Sequence, residues 1–172
     1  MALPVKIREM ATGLLLDAVI EPVKIKDFKI IEKSKDRFNK FDWTLYRKEE
    51  VFKLTLKGKD TILGLICLID HTKADTDAIE IELVEVACEN IGGAKQYDFI
   101  GGCLFAFACR ESIRRGHNGF VFLVPKSGLV THYKEHYGFE HFPLKTPQRP
   151  CGLMVLHEHA SKELVTKYLS EF

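Results

Sequence analysis

Three sets of residues in this 172-residue chain have the types and spacing to do chemistry. The first is Gly101-Gly102, which stands between an apolar strand with its Gly92-Gly93 loop and a helix. The first N–H groups of a helix have no intrahelical partner, its dipole is positive there, and glycine lets an anion approach the backbone, so this is a workable phosphate site. No GxxxxGK[ST] occurs, which excludes a P-loop, and no GxGxxG occurs, which argues against a dinucleotide site. The second set is His132-Tyr133-Lys134-Glu135-His136, an H-x-x-E-H pattern in which two histidines one turn apart bind zinc. His157-Glu158-His159 adds two more metal-friendly rings. This alternative, a zinc-dependent hydrolase, is weakened because the helix closes at Gly138 and little chain remains to supply a further ligand, so no metal is expected. The third set is five cysteines at 67, 88, 103, 109 and 151, an odd, scattered number without a CxxC pair. They read as buried reduced thiols, and Cys88 has no histidine or aspartate partner that would make it a nucleophile.

The elements that must position these residues follow from periodicity. Val5–Met10 alternates as a strand. Asp27–Phe38 carries Phe28, Ile31 and Phe38 among charges, a helix opened by an Asp N-cap. Glu50–Lys57 and Thr61–Ile69 form a hairpin around Gly58-Lys59-Asp60. A polar loop, Asp70–Asp77, leads to a strand at Ile79–Cys88. Its alternation slips at Glu85, as a bulge would cause. From Ile100 the apolar residues recur at helical spacing until Arg114-Arg115-Gly116, a cationic helix ending before glycine. Gly119–Val124 is a strand apolar on both faces. Ser127–Tyr137 is a helix closed by Gly138, Phe139–Phe142 and Leu153–Leu156 are short strands, and Ala160–Leu169 is a final amphipathic helix. The resulting order, β-α-β-β-β-α-β-α-β-β-α, predicts a mixed α/β (α+β) sheet with helices on both faces, and residues 1–172 as a single domain.

Composition narrows the function. The net charge of +1 argues against a dedicated nucleic-acid binder, since phosphate contacts need clustered positive charge. The apolar runs are strand-length, far below the ~20 residues that span a bilayer. No basic and then apolar leader opens the chain. A cytoplasmic protein without a membrane partner is the expectation.

The stretch from Glu80 to Phe142 resembles the core of the GNAT acyltransferases, a family with a strand, a Q/R-x-x-G-x-G/A loop, a helix, a strand, and a helix ending in Tyr-x-x-x-Gly-Phe. Here the loop reads Gln96-Tyr97-Asp98-Phe99-Ile100-Gly101-Gly102-Cys103, and the distal piece Tyr133-Lys134-Glu135-His136-Tyr137-Gly138-Phe139, with one residue more between Tyr133 and Gly138 than the shortest family spacing. Phe99 stands where the first glycine is usual, the loop from Glu89 to Gln96 is longer, and Lys126 replaces an asparagine often found at the next helix. The first seventy residues match only in the order of elements.

The resemblance implies a GNAT-type fold with a mostly antiparallel sheet of 6–7 strands. It further implies an N-acetyltransferase that passes an acyl group from acetyl-CoA directly to an amine in a ternary complex. The cofactor-binding residues would be Val84, Val86 and Cys88 along the pantetheine, Gln96, Ile100, Gly101, Gly102 and Cys103 around the pyrophosphate, and Lys126 beside a phosphate. Tyr133 matches the tyrosine that protonates the leaving thiolate, and Glu82 and Glu85 are general-base candidates on the central strand. Direct transfer needs amine and thioester held side by side, with proton transfers supplied by positioned side chains. A non-catalytic acyl-CoA-binding module on the same fold is the remaining alternative. The acceptor, a peptide or small-molecule amine, carries no signature, and a homodimer is compatible with such a sheet.

Overall fold

The computed structural model describes residues 2–125 and 129–169. The chain forms nine strands and four helices: β1 (Leu3–Glu9), β2 (Leu15–Pro22), α1 (Ile25–Lys33), β3 (Glu50–Leu56), β4 (Ile62–Lys73), β5 (Thr76–Val86), β6 (Tyr97–Asp98), α2 (Ile100–Arg114), β7 (Val121–Leu123), α3 (Val130–Tyr137), β8 (Glu140–Phe142), β9 (Leu153–Leu156) and α4 (Glu158–Leu169). Single 3-10 turns lie at Trp43–Tyr46 and Cys88–Asn90. The hydrogen-bonded strand order is β6-β1-β2-β3-β4-β5-β7-β9-β8. The sheet is mixed, with β5 and β7 parallel and the ladders β1–β2, β2–β3, β3–β4, β7–β9 and β8–β9 antiparallel. It therefore exceeds the six or seven strands expected.

Two compact units make up the chain, Met1–Leu68 with Leu83–Leu104, and Ile69–Glu82 with Phe105–Phe172. In the first unit, β1 and β2 pair from Leu3↔Ile20 to Arg8↔Leu15, and β2 continues onto β3. A core of Phe28, Ile31, Phe38, Trp43, Val51, Ile62, Leu65, Cys67, Leu83 and Ala87 fills one side of its sheet. Phe28 and Ile31, one turn apart on α1, supply the helical contribution. Asp27 does not cap α1 as expected. It sits one turn inside, where its carboxylate accepts from the Lys24 N–H at 2.8 Å and from buried Lys53 Nζ at 2.9 Å. The helix stops at Lys33, short of Phe38, because Ser34 hands its hydroxyl to the Ile30 carbonyl and its N–H to Ile31. On the other side of this unit, α2 begins against β4. A Cβ on Gly64 would lie 2.8 Å from Ile100 Cγ2 and 2.9 Å from Leu104 Cδ1, so only glycine lets strand and helix approach this closely.

In the second unit, β7 pairs with β9 and β9 with β8. Buried Ser161 of α4 donates to the Gly119 carbonyl, and Leu164 and Val165 bury the helix's inner face. β7 meets β5 only at Ile79↔Val121 and Glu80↔Phe122, so β5 runs on to Val86 with no β7 register partner among the described residues.

Several boundaries differ from the sequence expectation. The strand Leu15–Pro22 went unread because outward Leu15 and Val19 are as apolar as inward Leu16, Ala18 and Ile20, which blurs the alternation. The polar loop expected at Asp70–Asp77 is mostly strand, since β4 and β5 extend to Lys73 and from Thr76 as a polar-faced hairpin. Gly58 closes the β3–β4 hairpin as expected, and α2 occupies the predicted span. The expected Ser127 N-cap of α3 lies outside the described residues, while Gly138 at φ 76° ends that helix as read.

Candidate functional site

β5 alternates without interruption. Ile79, Ile81, Leu83, Glu85 and Ala87 are buried, while Glu80, Glu82, Val84 and Val86 are half-buried on the opposite face. The slip expected at Glu85 is therefore absent from the burial pattern. Glu85 is a carboxylate on the core face, 3 % exposed, and it stays there because Trp43 Nε1 donates to Oε1 at 2.8 Å and the Lys40 N–H to Oε2 at 3.0 Å. A buried carboxylate is tolerated when its oxygens are hydrogen-bonded. These bonds tie the 38–44 segment to the strand beneath it, which is an anchoring arrangement. A register irregularity lies between β3 and β4 at Leu54/Thr55.

The strand ends at Val86, two residues earlier than expected. Ala87 N–H goes to the Leu63 carbonyl and Cys88 N–H to Arg37 O at 3.0 Å, so the Cys88 amide is already bonded within the fold. Its exposed thiol donates to Asp36 O at 3.2 Å. Nearby, Arg37 clamps Glu89 and donates to Ile62 O at 2.8 Å. The chain then reaches Asn90, whose Oδ1 accepts from the Tyr97 N–H at 3.0 Å. It next runs along β1 as β6, through Arg8↔Asp98 and Glu9↔Tyr97.

The start of α2 has the geometry of an anion site. Phe99 takes φ 78°, a left-handed conformation that glycine adopts freely and a phenylalanine adopts at a cost of about 1–2 kcal/mol. This is the position where the GNAT pattern usually carries glycine, so the departure is one of residue type and not of backbone shape. The ring is held under the Arg8 guanidinium, 4.6 Å from its centroid. The first helical bond is Cys103 N–H to Phe99 O at 2.9 Å. The N–H groups of Ile100, Gly101 and Gly102 thus lie ahead of the helical ladder, as at any helix start. Cys103 itself cannot serve as expected. Its amide is bonded, and its buried thiol, 3.4 Å from Lys6 O, is pushed up to about 12 by burial. The Ile100 side chain is buried and turned to β4, so only its backbone N–H stands at the helix start.

Around this helix start the sequence reading missed three charged groups. Asp98 accepts from the Phe99 N–H at 2.8 Å, from Lys95 Nζ at 3.1 Å and from Arg8 at 3.4 Å. Burial alone would raise its carboxyl, but those bonds prevail and hold it below the usual carboxylate range. Two cations thus share one carboxylate beside the helix N-terminus. Only Asp98, as an acid directly before a helical run, left a signal in the sequence. Arg8 arrives from a strand ninety residues away. Gln96 is placed by its backbone, its carbonyl accepting from Met10 N–H at 2.9 Å. Lys126 lies outside the described residues.

In the second unit, Tyr133 projects from α3 onto a cluster of rings, 5.4 Å from Phe105 and 5.9 Å from Phe139 between centroids. Burial raises its hydroxyl pKa, which keeps the proton on oxygen at neutral pH and suits a donor. Glu82, half-buried, lies on the β5 face opposite Glu85. His132 and His136 stack at 4.3 Å on an exposed face of α3 beside exposed Glu135. Among the described residues no group of three His, Cys, Asp or Glu side chains is placed to hold a metal. His157 and His159 are each 2.9 Å from a glutamate, Glu140 and Glu163.

No family model and no curated protein sequence matches the chain. Solved structures do. AtaTR bound with acetyl-CoA is 13% identical with TM-score 0.58, covering 87% of this chain and 98% of its own. An arylalkylamine N-acetyltransferase 7 structure from the yellow fever mosquito Aedes aegypti is 10% identical with TM-score 0.55, covering 91% and 93%. A GnaT-family acetyltransferase from Bordetella pertussis is 13% identical with TM-score 0.51, covering 80% and 93%. The chain has the GNAT acyl-CoA N-acyltransferase fold. No helix among the described residues is long and apolar enough to cross a membrane.

Proposed function

We propose that the protein transfers an acetyl group from acetyl-CoA to an amine. The observation that carries this reading is the left-handed Phe99 immediately before the glycine-rich start of α2. In this reading the pyrophosphate rests on the N–H groups of Ile100, Gly101 and Gly102, with Arg8 and Lys95 contributing positive charge. The backbone of Val84 and Val86, beyond the end of β7 pairing, accompanies the pantetheine. Oriented N–H groups stabilise anionic oxygen without reorganising, because they are fixed by the fold.

The amine attacks the thioester carbonyl, its nitrogen forming the new C–N bond as the C–S bond breaks. Its proton leaves through water to Glu82, half-buried on the β5 face opposite the core. Tyr133 delivers a proton to the departing thiolate. No covalent enzyme intermediate is needed.

The test has two arms. Acetyl-CoA at about 100 times its Kd should stabilise the protein by about 2.7 kcal/mol, read as a rise in melting temperature. A panel of amines should then release free CoA. No thermal shift at millimolar acetyl-CoA would overturn the reading. A shift without CoA release from small amines, peptides or polyamines would leave an acyl-CoA-binding module.

A further inference from the structure

The near-neutral chain hides a strong local imbalance. Residues 24–48 hold seven lysines, two arginines and four acids, a net +5, so the remainder is net −4 against +1 for the whole. One of those acids, Asp27, is buried against Lys53 and does not face solvent.

The imbalance has a direction. On α1, Phe28 and Ile31 turn inward to the core, and Lys26, Lys29 and Lys33 are exposed on the opposite face. At about 100° per residue the three lysines fall within an arc of about 60°. The stripe they form is about 10 Å long at ~1.5 Å per residue. None of the three has a carboxylate within ion-pair distance among the described residues. Six of the unit's other twelve cations differ in this: Lys6, Arg8, Arg37, Arg47, Lys53 and Lys95 each face an acid. Like charges three and four residues apart disfavour a helix, and a helix of nine residues has little to offset them. An anion laid along the stripe relieves that repulsion.

The arrangement also selects among anions. Ile25, 85 % exposed, and Ile30, 44 % exposed, flank the stripe on its two margins. A helix that lies in a lipid interface puts apolar residues in the middle of its outward face and lysines at the sides, the reverse of what is seen here. A protein–protein interface likewise keeps its centre apolar and its charges at the rim. A central line of lysines, narrow and about two phosphate steps long, fits one phosphodiester strand.

From this geometry we infer that α1 docks a single strand of nucleic acid through Lys26, Lys29 and Lys33. The binding is to phosphates, so it carries no sequence preference. It is independent of acyl transfer, and either activity can be present without the other.

The test uses the full chain and a fluorescein-labelled 20-nucleotide single-stranded RNA, with anisotropy read from 50 to 200 mM salt. The wild type should bind with affinity falling steeply with salt. The triple variant Lys26→Gln, Lys29→Gln, Lys33→Gln should bind at least tenfold more weakly at 100 mM salt. Its salt slope should drop by about 2, at ~0.7 for each phosphate that is no longer neutralised. A control with the same charge change elsewhere, Lys57→Gln, Lys59→Gln, Lys73→Gln, should retain wild-type slope, and circular dichroism should show both variants folded. The inference is overturned by absent RNA binding, by equal weakening in the two triple variants, or by binding to phosphatidylglycerol vesicles without binding to RNA.

Discussion

The two ends of α2 are built by opposite rules. Its start, in the first unit, has small residues, a left-handed Phe99 and one carboxylate, Asp98, shared by Lys95 and Arg8. Its end, in the second unit, is closed by charge. Glu111, fully buried, accepts from Arg114 at 3.1 Å, Arg115 at 3.1 Å and Arg110 at 3.2 Å, and Arg115 continues to Asp70 at 3.1 Å. His117, 4 % exposed, sets one ring nitrogen 2.6 Å from Asp70 and the other against Asp77. Cations near a helix C-terminus are favourable and here they are also mutually satisfied. A region whose charges satisfy one another holds structure, whereas one with more donors than acceptors can take a ligand.

Breaking that contrast should produce its largest effect at the closed end. Glu111→Ala strands arginines around a buried site and should cost about 3–5 kcal/mol in chemical denaturation. Asp98→Ala, at the part-exposed start, should cost about 1 kcal/mol or less. Equal costs would remove the distinction. Next in size is Tyr133→Phe, which should lower kcat by roughly 10–100-fold with little change in melting temperature. An unchanged rate removes Tyr133 from the chemistry.

Acid should loosen the closed end. Burial works to raise the carboxyls of Glu111 and Asp70, but the arginine and histidine bonds outweigh it and hold both below their ordinary values. Groups depressed in the folded state stabilise it above the unfolded pKa and lose that contribution as pH falls through the depressed values. Stability should therefore hold near neutrality and decline below about pH 4, with a shallower acid limb in Glu111→Gln. The smallest effect is expected for Phe99→Gly. It removes about 1–2 kcal/mol of left-handed strain but gives up the stack on Arg8 and adds chain entropy, so net stability should move by less than about 1 kcal/mol. A large drop would show that the Arg8–Phe99 stack, and not the backbone turn, organises the helix start.

Much of the fold was legible along the chain because it rests on local patterns. The helical spacing from Ile100 to Arg114, the Gly138 stop and the strand Leu153–Leu156 each follow from neighbours within a few residues. The glycine-bearing start of α2 was legible for the same reason. Glu85 was not: its place in the alternation looked like a bulge until Trp43, forty-two residues away, supplied a partner. Charge was misleading in the mean, since +1 for the whole conceals the lysine face of α1, which depends on which side of that helix meets the core.

The sequence by itself determined the order of elements, the glycine-bearing turn into α2 and the types of residue available for chemistry, because periodicity and turn propensity act over a few residues. Only the tertiary structure decided which of those residues are already engaged. Cys88, Cys103 and Glu85 are taken up by partners from distant segments, and Phe99 is forced into a glycine's conformation beneath Arg8. Hydrogen bonds and burial are settled between residues far apart in the chain, and no local pattern encodes them.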